Sequence, residues 1–322
     1  MNSTTRLRSI AALVLTTLWL VGCVGAPAAP PATLTPAPLA LSTPAPATAR
    51  PSPTPLAPSP TPLPAATPIP TRVPPTPSPA PAATPTPAPT PTATLPAGRQ
   101  QAYTFEAQVT RGSETRQVRL NYLLFLPGGY AADPQQRWPL VLFLHGLGET
   151  GSDVEMVKKH GIPRIVEERK DLPFIAVSPQ CPYRFCWMSE ADTLNALLDE
   201  IVASYAVDVD RVYLTGLSMG GYGAWHLAIQ YPDRFAAVVP IAGGGDPGQV
   251  CALKDVPVWA FHGALDDVVA PGESQAMVAA LEACGGEVQF TLYPDVYHDS
   301  WTQTYANPEL YEWLLNQVRP SD

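Results

Sequence analysis

Between Pro27 and Pro96 the chain carries 26 of its 41 prolines and no aromatic residue, in phrases such as "PSPTPLAPSPTPLP". Each proline fixes φ and removes a backbone donor, so the tract can neither continue a helix nor fill a central strand. Alanine, threonine and serine between the prolines give it nothing with which to build a core. The tract therefore divides the chain into an apolar start (1–22), an extended polyproline-like stalk (23–97) and a body (98–322) that alone can fold. At about 3.1 Å per residue the stalk would reach roughly 200 Å if fully extended. The body keeps about 225 residues, enough for one single-core domain.

Arg6 and Arg8 precede an apolar run from Ile10 to Val21. That run is shorter than the 20 or so residues a membrane-spanning helix needs, and it reads as an export signal. It ends in Leu20-Val21-Gly22-Cys23, which resembles the lipobox of bacterial lipoproteins. The resemblance implies that Cys23 is lipidated and becomes the mature N-terminus; a simple signal peptide with a chance cysteine is the alternative. Two or more acyl chains, at roughly 0.8 kcal/mol per buried methylene, would hold the protein stably on a membrane. The expectation is an extracytoplasmic lipoprotein at the cell surface or in the periplasm, with the stalk as spacer.

Residues 1–97 hold 4 of the 19 basic residues and none of the 28 acidic ones, so the body carries 15 against 28, a formal charge of −13. An acidic body argues against nucleic acid as a partner, because phosphate binding needs a basic face. The body is expected to be a monomer.

Strand-like runs open the body at Ala102–Thr110 and Gln117–Leu126. "WPLVLFLHG" (Trp138–Gly146) follows, an uninterrupted apolar run that suits a strand buried on both faces. Similar runs recur at Pro173–Ser178, Arg211–Gly216, Phe235–Ala242, Val256–Gly263 and Val288–Pro294. Helical patterns fill the gaps. The clearest spans Ala191–Tyr205, with Leu194, Leu197, Leu198, Ile201, Val202 and Tyr205 on one stripe, and with Ser189 and Asp192 spaced for a capping box. Another spans Glu273–Cys284 and stops at Gly285-Gly286. The alternation predicts an α/β fold with a mainly parallel sheet, helices on both faces and an antiparallel hairpin at one edge. Sites in such sheets form at the carboxyl ends of the strands.

"GLSMG" (Gly216–Gly220) lies between a strand and a helix and fits G-x-S-x-G, the nucleophile elbow. A serine on a sharp turn needs small residues two places before and after it, so that strand and helix can pass. Ser218 is the candidate nucleophile. The acid and the base should follow it in the chain, each beyond a later strand. "ALDDVV" offers Asp266 and Asp267, and "DVYHDSW" offers His298. His298 would act as general base and then general acid, with Asp266 orienting its imidazole. Asp267 and Asp299 have the plainer reading of solvated or capping loop carboxylates. For the oxyanion, one donor is the amide of Met219; the other falls in "HGLGETGSD", where the amide of Leu147 is the candidate. His145 and His262 end strands and read as loop-holding residues, while His160 and His226 read as loop and helix-surface residues. No spacing suggests a metal, and no cofactor is needed.

The segments "LFLHGLGETGSD", "YLTGLSMGGYGAW", "FHGALDDVV" and "YPDVYHDSW", in this order, resemble α/β-hydrolase carboxylesterases of the phospholipase/carboxylesterase and dienelactone-hydrolase-like groups. They are also similar to feruloyl and polyhydroxybutyrate-depolymerase-like esterases, and to relatives of the prolyl oligopeptidase catalytic domain. The resemblance covers residues 102–318. It implies an α/β-hydrolase fold, Ser218, Asp266 and His298 as triad, and Leu147 and Met219 as oxyanion donors. It leaves the ester open: aryl or feruloyl, acetyl and polyester substrates all fit.

Only "GGGDPGQVCALKD" separates Ala242 from Val256, too little for a large cap domain, so an open site is expected. "CPYRFCWMSE" brings Tyr183, Phe185, Trp187 and Met188 to the same sheet edge as a candidate aromatic wall. With Cys23 assigned to lipid, four cysteines allow three pairings; Cys181–Cys186 and Cys251–Cys284 is the favoured one. The sequence thus predicts a serine carboxylesterase working through an acyl-enzyme. A serine peptidase on the same triad, or an inert surface-binding lipoprotein, are the competing readings.

Overall fold

The computed structural model describes residues 97–320. The export signal, the lipid site at Cys23 and the stalk lie outside the described residues. One eight-stranded sheet organises the body: β1 (Gln100–Arg111), β2 (Glu114–Phe125), β3 (Trp138–Leu144), β4 (Ile175–Pro179), β5 (Val207–Leu217), β6 (Ala237–Ile241), β7 (Val258–Gly263) and β8 (Val288–Tyr293). The spatial order is β1-β2-β4-β3-β5-β6-β7-β8. β1 and β2 pair antiparallel along their whole length, from Gln100 opposite Phe125 to Arg111 opposite Glu114, and β2 joins β4 antiparallel. All later pairings are parallel. The expected edge hairpin on a mainly parallel sheet is present.

The apolar run of β3 is buried at every residue, as a strand covered on both faces must be. Its neighbour β5 starts earlier than the apolar pattern suggests, because Val207 still pairs with Trp138 before the register shifts.

Among the described residues, six helices cover the sheet: α1 (Gly161–Glu168), α2 (Ala191–Ser204), α3 (Met219–Gln230), α4 (Gly272–Ala283), α5 (Ser300–Ala306) and α6 (Pro308–Asn316). Leu194, Leu197 and Ile201 of α2, Ala224 of α3 and Met277 of α4 join one core. Ile162 of α1, Tyr305 of α5 and Leu314 of α6 join the other, on the opposite face of the sheet. Helix α4 ends as its glycines predict, with Gly285 at φ +76°.

The capping box expected for α2 does not form. The N-cap residue is Glu190, one place later than expected, and no side chain caps the helix. A short 3-10 turn over Cys186–Met188 draws Ser189 back, so that its hydroxyl donates to the Cys186 carbonyl at 3.0 Å. The Glu190 carboxylate instead accepts from Arg116 of β2 at 2.8 Å and from the hydroxyl of Thr193.

The connection from β6 to β7 contains one short 3-10 turn, Val250–Leu253. Among the described residues no helix is long and apolar enough to cross a membrane.

Candidate active site

Ser218 occupies the one-residue step between β5 and α3, with φ +52° and ψ −116°. For a residue with a Cβ this conformation costs on the order of 1–3 kcal/mol and persists only where its surroundings enforce it. Here the Ser218 amide donates to the Ile241 carbonyl of β6 at 2.9 Å. Gly216 and Gly220 make the turn sterically feasible. A Cβ on Gly216 would run into the carbonyl of Gly220, and one on Gly220 into the carbonyl of Leu144 on β3. The glycines beside the serine are therefore room for backbone against backbone.

The loop after β8 carries His298 and the loop after β7 carries Asp266. Nε2 of His298 stands 2.9 Å from the Ser218 hydroxyl, and Nδ1 stands 2.7 Å from Oδ2 of Asp266. Trp301 packs edge-on against the His298 ring, with centroids 5.0 Å apart, which steadies it. Burial works to raise the Asp266 pKa. The His298 hydrogen bond and the amides of Val269 and Val268, both donating to Oδ1 at 2.9 Å, outweigh it and hold the carboxyl below its ordinary range. Asp266 is buried, Asp267 beside it is exposed, and Asp299 caps α5 through the Thr302 amide. The structure brings Ser218, His298 and Asp266 together and leaves the other two carboxylates apart.

A pocket of about 470 Å³ opens at Ser218, walled by Leu147, Met219, Phe185, Trp187 and Met188. Among the described residues, the amides of Leu147 and Met219 donate to no protein acceptor. Two free N–H groups beside one serine can receive a developing oxyanion.

Tyr183 does not line this pocket. Its hydroxyl donates to Glu190 at 2.7 Å, tying it to the start of α2. Phe185 stays on the wall as expected: a left-handed conformation (φ +61°) turns it outward, 64% exposed, while its amide donates to the Met219 sulfur. Trp187 is fully buried and donates its Nε1–H to the His145 carbonyl at 3.0 Å. Val268, Val269 and Tyr222 complete the lining. Sequence reading passed over them, although Tyr222 lies one helical turn after Ser218 and the valines follow the acid directly.

The structure bonds Cys181 to Cys186 and Cys251 to Cys284. The first bridge closes the loop that presents Phe185. Nε2 of His145 accepts from the Cys181 amide, and His262 lies wholly buried between Asp266, Val269 and Ser274. His160 packs its ring against Trp301, and His226 is half-buried on α3. Among the described residues no group of three or more His, Cys, Asp or Glu could hold a metal ion.

The Esterase family model matches residues 113–279, just over half of the chain. NocK of Nocardia uniformis subsp. tsuyamanensis, a protein that carries an esterase name, is 32% identical over 176 residues, which are 51% of this chain and 49% of NocK. Poly(3-hydroxyalkanoate) depolymerase C of Paucimonas lemoignei is 30% identical over 148 residues, 40% of this chain and 33% of the depolymerase. The chain thus spans half or less of the length of these curated relatives. Among solved structures, a thermostable esterase superposes with a TM-score of 0.57 at 34% identity, covering 68% of this chain and 63% of that one.

Proposed function

We propose that the chain, which belongs to the Esterase family and has the α/β-hydrolase fold, is a carboxylic ester hydrolase that works as an extracytoplasmic serine esterase with Ser218, His298 and Asp266 as its triad. The observation that carries this reading is the unbroken chain from the Ser218 hydroxyl through His298 to Asp266, at 2.9 and 2.7 Å. Nε2 of His298 takes the hydroxyl proton as Oγ attacks the ester carbonyl, and the imidazolium that forms is stabilised by Asp266. The tetrahedral oxyanion is received by the amides of Leu147 and Met219. His298 then returns the proton to the leaving alcohol as the carbon–oxygen bond breaks, leaving an acyl-Ser218 that water, activated by the same histidine, hydrolyses.

The apolar walls supplied by Phe185, Trp187, Met188 and Val268 favour an ester with an aryl or other apolar acyl group. The short connection between β6 and β7 leaves room for bulky or polymeric esters. A poly(3-hydroxyalkanoate) depolymerase among the relatives supports the polymer option. Lipidation at Cys23 would hold the enzyme on a membrane outside the cytoplasm.

The test is hydrolysis of p-nitrophenyl esters from acetyl to long acyl chains, with a feruloyl ester, by the wild type and by Ser218→Ala. The variant is expected to lose on the order of 10⁶ in turnover. Full activity in Ser218→Ala would end the triad reading. For the anchor, labelled palmitate should enter the wild type and not Cys23→Ser; equal labelling of both would end the lipid assignment.

A further inference from the structure

Asp266 serves two histidines. Its Oδ2 lies 2.7 Å from Nδ1 of His298 and 3.1 Å from Nε2 of His262, the last-but-one residue of β7. The His262 ring is 0% exposed. Its hydrogen-bond partners fix where its protons are. Nε2 faces only acceptors, the Asp266 carboxylate and the Val269 carbonyl at 3.0 Å, so it carries a hydrogen. Nδ1 lies 2.7 Å from the hydroxyl of Ser274 on α4. That hydroxyl has one hydrogen, and the Gly243 carbonyl, 2.6 Å away, can only accept it. Ser274 is thereby left as an acceptor towards His262, and Nδ1 carries a hydrogen as well.

We propose that His262 is a positioning residue held as a buried imidazolium, hydrogen-bonded to Val269 and Ser274 and paired with Asp266 at 3.1 Å, and that it is a standing counter-ion to the triad carboxylate. A buried cation is tolerated only when paired and fully hydrogen-bonded, and both conditions are met here. The inference rests on the triad reading for its effect on catalysis; the protonation of His262 itself does not.

The consequence lies in the basicity of His298. A carboxylate with no other partner strongly favours the protonated form of its histidine, whereas one already neutralised by a second cation favours it less. His262 therefore weakens the pull of the Asp266 carboxylate on the His298 proton, which favours the neutral His298 that can take the Ser218 proton. The other ionisable groups around this cluster are the exposed Asp267, and Glu273 and Tyr222 on α4 and α3. They remain in place when His262 is changed.

Two measurements test this on the full chain. The first labels its five histidines with ¹⁵N and reads the protonation of each ring nitrogen near pH 8, with His262→Gln to assign the signal. Two protonated nitrogens on His262 are expected; one would overturn the proposal, whatever the triad does. If His262→Gln does not fold, the four remaining single His→Gln variants assign the signal by elimination. The second is the pH profile of kcat/KM for wild type and His262→Gln. Glutamine can donate a neutral hydrogen bond in the place of Nε2 but brings no charge, so the acid limb should move up by about one pH unit or more. A loss of activity equal at every pH, with the limb unmoved, would mean a structural role only. Loss of activity in Ser218→Ala checks the triad reading separately.

Discussion

The backbone amide of Cys181 donates to Nε2 of His145 at 2.9 Å, so that nitrogen bears no proton. Nδ1 faces the Gly146 carbonyl at 2.5 Å and holds the hydrogen, while Glu149, 4.0 Å away, is beyond hydrogen-bonding distance. Burial favours the neutral ring and pulls its pKa down to about 4, against a smaller upward effect of the Gly146 bond. One neutral histidine thus joins the loop of Leu147 to the loop of Phe185.

Stability should follow the protonation of that ring. The unfolded chain takes up a proton near pH 6.5 that the folded chain refuses until about pH 4, so the contribution is fully present above pH 6.5 and is lost as pH falls to 4. It amounts to about 3 kcal/mol. In thermal melts between pH 7 and pH 4, the wild type should lose roughly 6–12 °C more than His145→Gln. Parallel curves would show that the folded and unfolded chains bind this proton equally well, which would end the reading of a ring kept neutral by burial.

Asp266 and Asp267 are adjacent, and only the first is buried and bonded to His298. Asp266→Asn should lower kcat by about 10⁴, and Asp267→Asn by no more than a few-fold. Steady-state kinetics on one chromogenic ester separates them, and the reverse ranking would move the acid to Asp267.

Gly220→Ala places a methyl group against the Leu144 carbonyl, which belongs to a central strand and cannot yield as a flexible side chain would. A loss of about 3 kcal/mol or more is expected, together with displacement of Ser218. Urea unfolding reports the first and ester turnover the second. A variant as stable as the wild type would contradict the tight crossing.

Phe185→Ala should cut kcat/KM for aryl and long-chain esters by about 5–30-fold and leave acetyl esters nearly unchanged, because it removes apolar wall without touching the oxyanion donors. Tyr183→Phe should leave the chain-length profile intact, since its hydroxyl points to Glu190. An equal loss on all esters from Phe185→Ala would place it outside the substrate path.

The two disulfides should separate stability from specificity. Replacing Cys251 and Cys284, 33 positions apart, by serine should cost about 3.5 kcal/mol. The five-position bridge Cys181–Cys186 should cost about 2 kcal/mol and also blur the acyl-chain preference through Phe185. Denaturant melts alongside the ester series read both quantities.

The meeting of Ser218, Asp266 and His298 was legible because each lies in the turn or loop that follows a strand run, and a parallel sheet gathers those loops at one edge. The hairpin and α2 were legible from their periods. The departure of Tyr183 from the wall was not, because it depends on a left-handed residue inside a disulfide loop and on where Glu190 finds its cation. The same carboxylate moved the start of α2, through a partner, Arg116, 74 positions away. His262 reads in the sequence as a loop holder; its contact with Asp266 emerges only when loops after two strands and a residue of α4 converge.

The register of the edge hairpin also fixes a direction. Gln100 pairs with Phe125, and Phe125 with Ala176 near the start of β4, so the chain enters at the amino ends of the parallel strands. The amide of Arg319, bonded to the Asp210 carbonyl near the start of β5, leaves at that same pole. Ser218 stands at the other. A carrier or bead joined directly ahead of Gly98 is therefore attached at the pole of the sheet opposite Ser218, where it leaves the nucleophile uncovered.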